Sequence, residues 1–91
     1  LQTSVSLGWA ERGPAVVIGA SSRDRKRNQI WLDKKHWHLV RFIGQLGEKG
    51  VIVDIHFLDY FTSTRGRIYP GRVKVYKNKK LILQSILYRI K

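Results

Sequence analysis

Ninety-one residues carry 18 Lys and Arg against six Asp and Glu, a formal charge of +12, with no cysteine and no methionine. Without cysteine the chain can form no disulfide, no thiolate zinc site and no cysteine nucleophile. A hydrophobic content of 43% with 11% aromatics suffices for one core, so residues 1–91 read as a single folded domain rather than a disordered chain.

No apolar run approaches the ~18 residues that cross a bilayer, and LQTSVSLGWAERG lacks the basic start and apolar middle of a signal peptide. The expectation is a soluble, intracellular domain without a membrane partner, in a cytoplasm and nucleoid or a nucleus. A first residue other than Met suggests a processed or excised chain. So large a charge on a compact body repels itself and points to a polyanionic partner. Its distribution sharpens the point: all six acids, Glu11, Asp24, Asp33, Glu48, Asp54 and Asp59, lie in the first 60 residues. The remaining third holds Lys and Arg alone.

In chain order, Ser4 to Ala10 alternates Val5, Leu7 and Trp9 with small residues and predicts a strand. Gly13-Pro14 marks a turn and Ala15 to Ala20 a second strand. Ser22 to Gln29 has no apolar residue and predicts a solvated loop or projecting hairpin tip. A short strand follows over Gln29 to Leu32, and Asp33 stands where a helix N-cap would. Leu39, Phe42, Ile43 and Leu46 then fall at i, i+3, i+4 and i+7, which predicts a helix over 34–47 closed by Gly47 and Gly50. Its outer side would carry Lys34, His38, Arg41 and Gln45.

Val51 to Phe61 alternates cleanly, with Val51, Val53, Ile55 and Phe57 on one side and Ile52, Asp54, His56 and Leu58 on the other. Arg67 to Lys77 sets Val73 and Val75 against Arg72, Lys74 and Tyr76, with Pro70-Gly71 implying an edge or a bulge. Asn78 marks a turn, and LILQSILYRI predicts a last strand buried on both faces. The order βββ-α-βββ gives an α+β class, a twisted antiparallel sheet of about five to six strands with one main helix packed across it.

Alternation places Arg72, Lys74 and Tyr76 on one sheet face, with Arg65, Arg67 and Tyr69 near its hairpin end and Lys77, Lys79 and Lys80 at the following turn. Cations at fixed spacing with aromatic rings between them suit phosphates and unstacked bases. The loop cations Arg23, Arg25, Lys26 and Arg27 supplement that face, and Trp31, just after them, is a candidate stacking residue. His36 and His38 point in different directions from a helix and no acid completes a ligand set, so neither a metal nor a cofactor is expected. Carboxylate-pair chemistry is not expected either, because Asp54 and Asp59 face opposite sides of their strand.

Two pieces resemble the positive-cofactor-four family of single-stranded-DNA-binding coactivators. VIVDIHFLDYF followed by a basic turn and PGRVKV, Val51 to Val75, is similar to that family's paired strands. IWLDKKHWHLV, Ile30 to Val40, is similar to its strand and capped helix. The two pieces stand here in the reverse order, an arrangement that the repeated sheet-plus-helix units of the related Pur and Whirly binders accommodate. The resemblance implies a curved sheet whose concave face binds single strands, often as a homodimer, with Arg72, Lys74 and Tyr76 as contact positions.

The function expected is therefore non-enzymatic binding of single-stranded DNA or RNA with little sequence specificity, since the cationic face has few Asn or Gln side chains to read base edges. A ribosomal or structured-RNA-binding role is the alternative within that class. A small basic ribonuclease of the RelE toxin type is the alternative outside it, with His56, Tyr88 and Arg89 supplying acid, base and phosphate contacts.

Overall fold

The computed structural model describes residues 4–21, 23–46 and 50–86, and the expectations placed on Ser22, Gly47, Glu48, Tyr88 and Arg89 lie outside them. It is all-β: nine strands and no helix among the described residues. This overturns the α+β class, the βββ-α-βββ order and the helix over 34–47. The strands are β1 (Val5–Ala10), β2 (Gly13–Ile18), β3 (Gln29–Asp33), β4 (Leu39–Leu46), β5 (Val51–Leu58), β6 (Phe61–Thr62), β7 (Ile68–Tyr69), β8 (Arg72–Lys77) and β9 (Lys80–Ile86). Seven form one antiparallel sheet in the order β1-β2-β3-β4-β5-β8-β9, and β6-β7 is a small hairpin inserted between β5 and β8.

The predicted helix fails for a physical reason that begins with its cap. Asp33 does cap: its carboxylate accepts from the N–H of Lys35 at 3.1 Å and of His36 at 2.8 Å, and its carbonyl accepts from Trp37 N at 2.8 Å. The turn stops there because Trp37 sits at φ 61°, a left-handed conformation that no helix continues through. The chain reverses instead, and Asp33 N donates to His38 O at 2.8 Å to close a β-hairpin. β4 then follows. Its β-branched residues and mid-segment Gly44 suit a strand better than a helix, and a bulge opposite Trp31 and Leu32 brings Val40 onto the core beside Trp31.

Alternation sorts the sheet into two faces. The inner face carries Ala15, Val17, Gln29, Trp31, Ile43 and Leu58, all buried. The register carries it on through Arg41 opposite His56, His56 opposite Lys74 and Asp54 opposite Tyr76. The sheet curls toward this side, because Glu11 in the β1–β2 turn reaches His56 on β5 and Lys74 on β8 across the intervening strands. Gly8 makes the curl feasible: a Cβ there would stand 2.6 Å from the Trp31 ring.

The described part of the last strand is not buried on both faces, contrary to its apolar sequence. β9 is an edge strand, and Leu81, Ile82, Leu83 and Ile86 are all exposed. The β8–β9 turn is formed by Asn78 and Lys79 at φ 49° and 69°, the left-handed pair of a two-residue hairpin that Asn favours. Pro70-Gly71 separates β7 from β8, so the one strand expected over Arg67 to Lys77 is two, and β8, paired with both β5 and β9, is not the edge strand that Pro70-Gly71 implied.

Candidate nucleic-acid interface

A curled antiparallel sheet makes its inner face a trough, and its side chains follow from the register. Arg41 on β4 holds Asp54 on β5 with two hydrogen bonds, Nε to Oδ1 at 2.8 Å and Nη2 to Oδ2. His56 Nε2 lies 3.0 Å from Asp54 Oδ1, and its Nδ1 lies 3.5 Å from Glu11 Oε2. Lys74 Nζ is 3.6 Å from Glu11 Oε1, and the Tyr76 ring lies 5.0 Å from the His56 ring. Burial opposes ionisation of Asp54, but hydrogen bonds from Arg41 and His56 and their charges outweigh it and lower its pKa to about 2. The centre of the trough is thus charge-balanced.

At the end where the β2–β3 and β8–β9 connections meet, a cavity of about 740 Å³ is lined by Arg23, Asp24, Arg25, Lys26, Lys79 and Asn78 above Arg41, Asp54, His56 and Tyr76. The loop that supplies four of these is tethered. Gln29, buried, receives the Trp31 indole N–H on Oε1 at 2.8 Å and donates from Nε2 to Arg27 O at 3.0 Å and to Asp24 O. Lys26 N also donates to Asp24 Oδ1 at 3.0 Å. Its described side chains are largely exposed, as in a solvated hairpin loop, while these bonds hold its backbone. Burial, then the like charge of Arg41, holds the pKa of Arg25 below its usual value.

The sequence-predicted residues separate into four groups. Arg23, Arg25, Lys26, Tyr76 and Lys79 line the one cavity. Arg72 and Lys74 share the inner face but are matched by acids: Arg72 Nη2 is 3.3 Å from Asp59 Oδ2, and only 18% of the Lys74 side chain is exposed beside Glu11. Lys77 and Lys80 pair beside the β8–β9 turn, and Arg27 leans on Asp24 at 3.3 Å. Arg65, Arg67 and Tyr69 lie on the β6–β7 hairpin at the opposite end of the sheet, where Tyr69 packs 6.0 Å from the Phe61 ring.

Trp31 stands apart from all of these. None of its surface is exposed, and the guanidinium carbons of Arg25 and Arg41 lie 5.2 and 4.9 Å from its ring centroid. It supports the site from below and offers no face to a base. Arg41, Asp54, His56 and Glu11, which the sequence did not place among the nucleic-acid-binding residues, also build the trough. His56 and Arg41 could be found from strand alternation alone. Glu11, 45 residues from its partner, left no local signal. No known protein family, curated protein or solved structure matches this chain.

Proposed function

We propose that the trough binds single-stranded nucleic acid, with phosphates at its cationic mouth and bases turned inward toward Tyr76 and His56. The observation that carries this reading is the convergence of two segments far apart in sequence, Arg23–Lys26 and Lys79, on the rim of one cavity whose floor holds two neighbouring ring side chains, His56 and Tyr76, tilted 53° to each other. The rim supplies unbalanced positive charge, which displaces counterions from phosphates. The floor supplies flat rings in a charge-balanced setting, which repels the backbone less than it welcomes a base. A duplex is met by helices or ribbons that project into a groove, and the concave face has neither.

The same reading makes the chain a binder without cleavage. Both ring nitrogens of His56 lie against carboxylates, at 3.0 and 3.5 Å, contacts that support reading the ring as a fixed part of the trough floor.

The test is titration with labelled single strands across a salt series. Replacing Arg23, Lys26 and Lys79 together by Ala should weaken binding by about 2 to 4 kcal/mol and flatten the salt dependence by about two to three counterions, whereas Lys34→Ala with Lys35→Ala, at the other end of the sheet, should change neither. Equal loss from both sets would place the contact elsewhere.

A further inference from the structure

The face of the sheet turned away from the trough is apolar across its whole width. Val5, Leu7 and Trp9 on β1 lead to Val16 and Ile18 on β2 and to Ile30 and Leu32 on β3; Phe42, Val53, Ile55, Phe57, Val73 and Val75 continue it to Leu83 on β9. Lys77 and Lys80, beside the β8–β9 turn, are its charged members among the described residues. No described element covers it: at its edges Val5 is 65%, Leu7 63%, Trp9 75% and Leu83 56% exposed, and at its centre Phe42, Val53, Ile55, Phe57, Val73 and Val75 are half-buried among their sheet neighbours. An apolar patch so extensive is foreign to a soluble monomer.

The size of the molecule states the same surplus. The chain exposes 6933 Å², against about 5500 Å² for a compact protein of its 10.6 kDa mass. Its radius of gyration, 13.9 Å, exceeds the roughly 12 Å of a compact domain of this length. A sheet with one packed face has half a core. We propose that a second copy of this chain packs on the outer face, centred on β4, β5 and β8, to form a two-sheet core.

Hiding a surplus of about 1500 Å² on each copy would bury about 3000 Å² in all, which falls in the range of obligate homodimers. Charge fits the same occupant. Two copies at +12 repel, and the outer face lets them meet without bringing the trough cations together. Sheets that pack face to face do so aligned or near right angles, and either arrangement would leave both troughs open on opposite sides of the dimer. A lipid surface fits less well: immersing this face would carry the open edges of β1 and β9 toward hydrocarbon, where their unpaired backbone groups find no partner.

The experiment is sedimentation equilibrium of the full chain in high salt without nucleic acid, beside flotation with neutral phosphatidylcholine vesicles. The wild type should sediment at twice 10.6 kDa and stay out of the vesicles. Ile55→Lys should give a monomer; Ile55→Thr with Val75→Thr, which keeps strand-favouring shapes, should raise the dimer dissociation constant by about tenfold or more while preserving the β circular-dichroism signal. Both should still bind single strands with the wild-type salt dependence, because the trough lies on the other face. A monomeric wild type, a dimer indifferent to the Thr pair, or flotation in place of dimerisation would overturn the proposal; loss of single-strand binding in a wild-type dimer would count against the trough alone.

Discussion

Asp54 shows how one side chain ties folding to pH. Its folded pKa of about 2 lies below the ordinary 3.8, so the stabilisation it contributes is fully present above pH 3.8 and is lost as pH falls toward 2. A shift of that size corresponds to about 2 kcal/mol. Asp54→Asn should therefore lower stability at pH 7 by an amount of that order and flatten the fall in stability between pH 4 and 2, read by urea denaturation at each pH. An unchanged acid limb would remove Asp54 from that role. Trp31 makes the complementary residue-scale case. As a fully buried ring it should cost about 3 to 5 kcal/mol when replaced by Ala. Trp31→Phe should fold but lose about 1 to 3 kcal/mol in urea denaturation, because it leaves buried Gln29 Oε1 without the indole N–H, and unchanged stability would remove that bond from its supporting role.

Turns decide which element the sequence becomes. At the β3–β4 connection Trp37 is 60% exposed and held at φ 61°, a conformation that costs a bulky residue about 1 kcal/mol and costs glycine little. Trp37→Gly should thus raise the melting temperature by a few degrees, by roughly the strain it removes. Asp33→Ala, which removes the carboxylate that binds Lys35 N and His36 N, should lower stability by about 1 kcal/mol. At this connection the cap was legible in the sequence and the hairpin behind it was not. Leu39, Phe42, Ile43 and Leu46 satisfy helical spacing, while the alternation of Arg41, Ile43 and Gln45 satisfies a strand, and the left-handed residue that decides between them has no signature in a tryptophan. The strands expected over Val51 to Phe61 and Arg67 to Lys77 were legible in their shorter observed cores, Val51–Leu58 and Arg72–Lys77, where the pattern has a period of two. β9 misled because apolar residues on an edge read like those in a core.

For the whole molecule, charge in sequence and charge in space diverge. The last third of the chain holds no acid, yet its central cations are matched: Glu11 stands by Lys74, and Asp59 by Arg72 and Arg12. The curl of the sheet brings these acids in from the first turn and from the end of β5, and no property of residues 61–91 announces it. The excess of cations instead gathers where the β2–β3 loop meets the β8–β9 turn, with Arg23, Arg25, Lys26 and Lys79 around Asp24. No helix among the described residues is long and apolar enough to cross a membrane. The trough and the apolar outer face divide the molecule into a side rimmed by cations and a side of apolar residues.

The most direct measurement of the central claim is the affinity of the wild type and of the Arg23, Lys26 and Lys79 triple Ala variant for a labelled single strand and its matched duplex, at several salt concentrations, with the strands checked for cleavage. The account requires salt-sensitive binding that favours the intact single strand, and a shallower salt slope in the variant. Equal binding of strand and duplex with identical slopes for both proteins, or a cleaved strand, would contradict it.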